Sequence, residues 1–173
     1  MANTYTLIAS STVGSGGTAN IEFTSIPSTY TDLLLSCSVR TNQAVTDEWV
    51  QLTFNNVGGT SYNTITIRGN GSTTASGTRP NDAWIQGITT NGATSTASTF
   101  ASGSVYIPKY TSTTINKSVS IDAVMENNAT YGYTTFSAGI LSNTAAITSI
   151  KLTTTGGSFV QYSTAYLYGI SNS

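Results

Sequence analysis

Short runs in this chain alternate apolar and polar residues with a period of two, and no stretch of ten or more residues carries a helical period. That combination leaves few folds open. In residues 118–125, Val119, Ile121, Ala123 and Met125 share one side, while Ser118, Ser120 and Asp122 share the other. Val50, Leu52 and Phe54 alternate with Gln51 and Thr53, and Ile21 and Phe23 with Glu22 and Thr24. Ile65 and Ile67 alternate with Thr64, Thr66 and Arg68, and Ile150 and Leu152 with Ser149 and Lys151. Successive side chains of a strand point to opposite faces, so each run reads as a strand with one dry and one wet face, the pattern of an antiparallel sheet lying on a core.

Such runs give about ten strands, near residues 4–13, 19–26, 31–41, 48–56, 61–68, 83–90, 99–107, 116–126, 131–141, 147–154 and 164–170, with some neighbours merging. Turn residues stand between them: Gly14-Ser15-Gly16-Gly17, Pro27-Ser28, Asn55-Asn56, Gly58-Gly59, Asn127-Asn128 and Gly156-Gly157. Many short strands at this spacing predict an all-β chain with essentially no helix, folded as one domain over residues 1–173: a two-sheet antiparallel β-sandwich, jelly-roll-like. An immunoglobulin-like sandwich is the second choice, but the chain has one cysteine, Cys37, and so lacks that fold's disulfide. Residues 69–82 and 89–98 are small and polar and read as long loops flanking a short strand; loops on a rigid sandwich are where binding residues concentrate.

Composition then narrows the function. Of 173 residues, 57 are Ser or Thr and none is His, which removes the usual general base and the commonest metal ligand. No phosphate loop, dinucleotide fingerprint or Gly-x-Ser-x-Gly elbow occurs. A glycosidase would need a carboxylate pair; Asp122 lies on the polar side of its strand and nothing pairs with it in sequence. The expectation is a protein that is not an enzyme, with no cofactor and no metal. Net charge is −1 with 8% charged residues, so no basic field exists to gather nucleic acid or anionic lipid. No run reaches the length of a membrane span, and Met1-Ala2-Asn3-Thr4 has neither a basic start nor an apolar stretch. Cys37 shares its side with Leu33, Leu35 and Val39 and reads as a small core side chain.

Aromatic residues offer the best lead to a contact surface. Trp49 and Trp84 fall on the parity opposite their strands' apolar partners, and Tyr106 and Tyr110 bracket Pro108. Exposed Trp and Tyr favour interfaces because they bury large area at small entropic cost, and they also stack on sugars. Trp49, Arg79, Trp84, Tyr106 and Tyr110 are the candidate interaction residues; the alternative is that the rings are ordinary core side chains.

Several stretches carry a resemblance: Tyr5-Thr6-Leu7-Ile8-Ala9-Ser10-Ser11-Thr12-Val13-Gly14 leading to Ile21-Glu22-Phe23 and Ile26-Pro27-Ser28-Thr29-Tyr30, then Ile107-Pro108-Lys109-Tyr110, Phe136-Ser137-Ala138-Gly139-Ile140 and the closing Tyr166-Leu167-Tyr168-Gly169-Ile170. Over nearly its whole length the chain resembles small virion structural proteins of tailed bacteriophages, especially those of aquatic bacteria. The resemblance implies a jelly-roll-like sandwich, no enzymatic activity, no cofactor and no catalytic residues. It implies a place in the virion, assembled in the host's bacterial cytoplasm. The first expectation is a capsid decoration or cement protein that binds the major capsid protein as a homotrimer. The second is a tail or head-fibre component that meets a host-surface glycan through Trp84 and the loops 69–82 and 89–98. Neither reading requires nucleic acid or a membrane.

Overall fold

The computed structural model describes residues 4–129 and 131–171. Residues 1–3, part of the stretch expected to lack a targeting signal, lie outside it. The described residues form twelve strands and no helix: β1 (Tyr5–Thr12), β2 (Asn20–Phe23), β3 (Asp32–Val39), β4 (Asp47–Phe54), β5 (Tyr62–Gly69), β6 (Thr74–Asp82), β7 (Ile85–Asn91), β8 (Ala101–Ile107), β9 (Lys117–Glu126), β10 (Gly132–Leu141), β11 (Ile150–Thr154) and β12 (Thr164–Ile170). Among these residues no helix is long and apolar enough to cross a membrane. A wide sheet runs β1-β12-β3-β8-β9-β10-β5-β6 and a small one β2-β11-β4-β7. Every neighbouring pair in both is antiparallel.

The expected two-sheet sandwich is therefore what forms, and the chain hops between its layers. With the paired strands β8 and β9 set aside, β2-β11-β4-β7 faces β3-β10-β5-β6, an eight-strand jelly-roll arrangement. β8 and β9 widen the middle of the larger sheet, and β1 and β12 extend one edge. The alternating runs supply the core as their parity requires: Leu33, Leu35, Cys37 and Val39 of β3 and Val119, Ile121 and Ala123 of β9 are buried with Ile21, Phe23, Val50, Leu52, Phe54, Ile150 and Leu152. Two glycines let β7 sit close on the wide sheet. A Cβ on Gly139 would lie 2.7 Å from Cγ2 of Ile85 and 2.9 Å from Cγ2 of Val119, and one on Gly103 would lie 3.0 Å from Cγ2 of Ile88.

Three expectations need correction. Residues 69–82 are not a loop. Asn70-Gly71 turns a hairpin: Asn70 Oδ1 accepts from the amides of Ser72 (3.0 Å) and Thr73 (2.8 Å), and Gly71 takes φ +87°. The rest is β6, which escaped notice because an edge strand exposed on both faces has no apolar parity to display, and Pro80 is tolerated there at the edge, within a register shift.

Residues 89–98 divide as well. Thr89–Asn91 continue β7, and the remainder folds around the buried Arg40 guanidinium. Arg40 Nη1 donates to Thr96 O (2.7 Å), Thr99 O (2.9 Å) and Thr99 Oγ1 (3.0 Å), and Nη2 donates to Ser95 O (2.9 Å).

The third correction concerns polarity. Ile65 and Ile67 were expected on the dry side of their strand, yet they face solvent, while Thr64 and Thr66 are buried. β10 repeats the inversion, with Phe136 outward and Thr135 and Ser137 inward. The inward hydroxyls satisfy one another: Thr66 Oγ1 lies 3.0 Å from Ser137 Oγ, and Thr89 Oγ1 lies 2.8 Å from Thr135 Oγ1. Buried hydroxyls are cheap when paired, so strand parity alone could not say which face was inside.

Candidate functional site

β7 is the edge of the small sheet and packs across β8, β9, β10 and β5, so no strand covers the inward side of β6. A cleft of about 260 Å³ opens there, lined by Trp49, Thr66, Arg68, Gln86 and residues 75–79 of β6. Trp49 comes from β4, beside a bulge between Val50 and Gln51. Arg68 ends β5 on the inward parity.

Aromatic rings hold Arg68 in position. Its guanidinium carbon lies 5.5 Å from the Trp49 ring centroid and 4.4 Å from that of Tyr133, within cation–π range. Asp47 Oδ2 stands 3.6 Å from Arg68 Nη1. The other oxygen of Asp47 accepts from the Tyr131 hydroxyl at 2.8 Å, and that hydroxyl is 2.9 Å from the hydroxyl of Tyr133. The two tyrosine rings meet edge to face at 5.1 Å. Burial first, then the hydrogen bonds with Tyr133 and Asp47, push the Tyr131 phenol above its ordinary range. On the opposite wall, Arg79 donates through Nε to Asp82 Oδ2 (2.6 Å), and its Nη2 lies 2.6 Å from the same oxygen.

The five candidate residues thus do not form one surface. Trp49 and Arg79 line the cleft together. Trp84 lies 5.9 Å from the Arg79 guanidinium, but it is half-buried and its indole N–H is enclosed without a hydrogen-bond partner, so it is not an exposed platform. Tyr106 is on the other face of the wide sheet, where its hydroxyl donates to Asp32 Oδ2 at 2.9 Å; that bond is the main cause of its raised pKa. Tyr110 is wholly buried and donates to the Pro27 carbonyl, with burial raising its pKa, so its place among the exposed residues is corrected to the core. Period-two parity says nothing about Tyr110 because it follows β8 in a turn. Arg68 and Gln86 were missed. The available signal was an arginine sharing the parity of Thr64 and Thr66 at a strand end, which made sense only once that parity proved to be the inside.

The outward face of the wide sheet is the second surface. In one transverse row Leu7, Tyr168, Leu34, Tyr106, Ser120, Ala138, Ile65 and Thr78 stand in register across all eight strands. Leu7 (52%), Val124 (50%), and Ile65, Ile67 and Phe136 (57% each) are strongly exposed. The outward positions of the eight strands carry no Lys or Arg, and their exposed carboxylates are Asp122 and Glu126. Asp122 accepts from Ser104 Oγ at 2.6 Å. The Asp47-Glu48 pair diverges: Glu48 is buried and accepts from the amide of Gly156 (2.6 Å) and Thr155 Oγ1 (3.0 Å). Burial raises the Cys37 thiol to about 12, against a smaller lowering by a backbone hydrogen bond at Gly103. Among the described residues no three His, Cys, Asp or Glu side chains gather as a metal site. No protein-family model and no curated protein matches the chain.

Proposed function

We propose that this chain is a non-enzymatic structural protein of a tailed-bacteriophage particle, a capsid decoration protein that lays the outward face of its wide sheet against the major capsid protein. The observation that carries the reading is that face. Eight strands about 4.8 Å apart and about seven residues long span about 34 by 23 Å, close to 800 Å². That is the area one partner contributes to a standard protein–protein interface, about 800 Å². On that face Ile65, Ile67, Phe136 and Val124 of the adjacent strands β5, β10 and β9 are large, exposed apolar side chains, and grouped exposed apolar surface marks an interaction site. The resemblance along the sequence supports the particle. A broad, weakly charged face supports attachment by wide contact, with three copies around a local threefold position strengthening a modest affinity through avidity.

Two measurements test this. Quantitative mass spectrometry of purified particles should give a copy number set by the shell's symmetry. Purified protein should also rebind shells stripped of it, and Ile67→Asp or Phe136→Asp should abolish rebinding while leaving the fold intact. A handful of copies confined to the tail would refute the decoration role. That outcome would favour a second reading, a fibre component that touches the host surface, which the cleft beside β6 supports.

A further inference from the structure

Of the six Lys and Arg side chains, Arg40 and Lys117 are buried. Both commit their donors to the chain's own carbonyls. Lys117 Nζ, for instance, donates to Ser112 O (2.7 Å), Ile115 O (2.8 Å) and Thr144 O (2.9 Å). Lys151 stands 3.5 Å from Glu22. Two of the four cations that remain accessible, Arg68 and Arg79, line one cleft.

Arg68 differs from the buried pair in a way that points to a ligand. Two aromatic rings and a carboxylate at 3.6 Å fix its guanidinium, yet among the described residues it donates no hydrogen bond. A planar fork held still with its N–H groups free is preorganised for a carboxylate. Arg79 keeps Nη1 free because Asp82 takes Nε and Nη2. The side-chain amide of Gln86, in the same cleft, also makes no hydrogen bond among the described residues.

We propose that this cleft binds a carboxylated saccharide. Arg68 and Arg79 would take the carboxylate, Trp49 would offer an apolar indole surface to the C–H face of the ring, and Gln86 would bond the ring hydroxyls. The volume of about 260 Å³ falls just below the usual range for drug-sized ligands, so the cleft takes one sugar unit and leaves the rest of the polymer on the surface. Because Asp47 and Asp82 balance the two guanidiniums, the site recognises one carboxylate on a polyhydroxylated ring, not a dense polyanion. The inference stands on the cleft alone, wherever the chain sits in a particle, and copy-number data leave it untouched.

The test is titration of the full chain with galacturonate, glucuronate and sialic-acid oligosaccharides, with an uncharged galactose oligosaccharide as control. Intrinsic tryptophan fluorescence and the indole N–H resonance of Trp49 report binding. At least one acidic saccharide should saturate with a dissociation constant of about 0.1–1 mM, and the neutral control should bind about tenfold more weakly. Arg68→Lys, which keeps the charge but loses the fork, and Gln86→Ala should each weaken binding about tenfold with an unchanged thermal midpoint. The proposal is overturned if no acidic saccharide saturates by about 10 mM. It is equally overturned if the control binds as well, or if Arg79→Gln and Gln86→Ala variants that melt like the parent bind like it.

Discussion

Replacing Arg40 with Met removes a buried guanidinium while keeping most of the apolar stem, and the segment it holds should loosen. The side chain donates to Thr96 O, Thr99 O, Thr99 Oγ1 and Ser95 O at 2.7–3.0 Å, all from one turn of chain after β7. A hydrogen bond from a charged group is worth about 1.5–3 kcal/mol net. The four bonds share one anchor and are not additive, and much of the segment is exposed, so water recovers part of the loss. The expected cost is about 3 kcal/mol, the equivalent of two such bonds at the low end. For a chain of this size that lowers the melting midpoint by about 6–12 °C. Amide hydrogen exchange locates the effect: Gly92, Ala93 and Thr94, whose amides donate to Thr46, Gln43 and Val45, should lose protection together. Arg40→Lys should fall between, since one ammonium cannot span carbonyls that the fork bridges. A midpoint shift below about 2 °C for Arg40→Met, with protection at Gly92 and Ala93 unchanged, would refute the reasoning and show that backbone bonds to 43–46 hold the segment unaided.

Three further outcomes follow from burial and local hydrogen bonding. Tyr62, Tyr106, Tyr110 and Tyr131 all have raised phenol pKa values, so the fold favours their neutral forms. Their contribution to stability is complete below the unfolded value near 10 and is lost as pH rises through the folded values, so a phenolate absorbance titration should show late ionisation coinciding with alkaline unfolding. The Cys37 thiol, pushed up to about 12 and buried, should resist an aromatic disulfide reagent at mildly alkaline pH and react at once in denaturant; fast reaction of the native protein would contradict its place under the wide sheet. Gly139→Ala should cost about 1–3 kcal/mol by calorimetry, because its methyl meets branched carbons of Ile85 and Val119 at 2.7–2.9 Å; a neutral result would mean that β7 can lift off without penalty.

Most of the architecture was legible because it depends on parity. Val119, Ile121, Ala123 and Met125 announce β9 and its buried side, and Leu33, Leu35, Cys37 and Val39 announce β3. The expectations failed where parity carries no information. β6 contains nothing to bury on either face, so it read as part of a loop. Tyr110 lies in a turn, and its burial depends on a carbonyl at Pro27, far off in the chain. The cleft was half legible: Trp49 and Arg79 stood out as residue types, but Arg68 was hidden by the reversed polarity of β5.

That reversal links the two surfaces. On β5 and β10 Thr64, Thr66, Thr135 and Ser137 lie between the layers beside Tyr62 and Leu141, while Ile65, Ile67 and Phe136 face out. Hydrophobic burial ordinarily turns such strands over, and a slip of one residue would do it. Several ties prevent the slip here. The inward hydroxyls pair at 2.8–3.0 Å, Gly139 requires its position beneath Ile85, and the inward parity carries Arg68 to the rings of Trp49 and Tyr133. The register that builds the cleft therefore also exposes the aliphatic half of the wide sheet. If Ile65 and Ile67 were replaced with Thr, the fold should keep its stability, because those side chains gain nothing from the monomer's core, and only attachment to a partner should suffer. A destabilised double variant would instead mean that the outward aliphatic side chains support one another within the single chain.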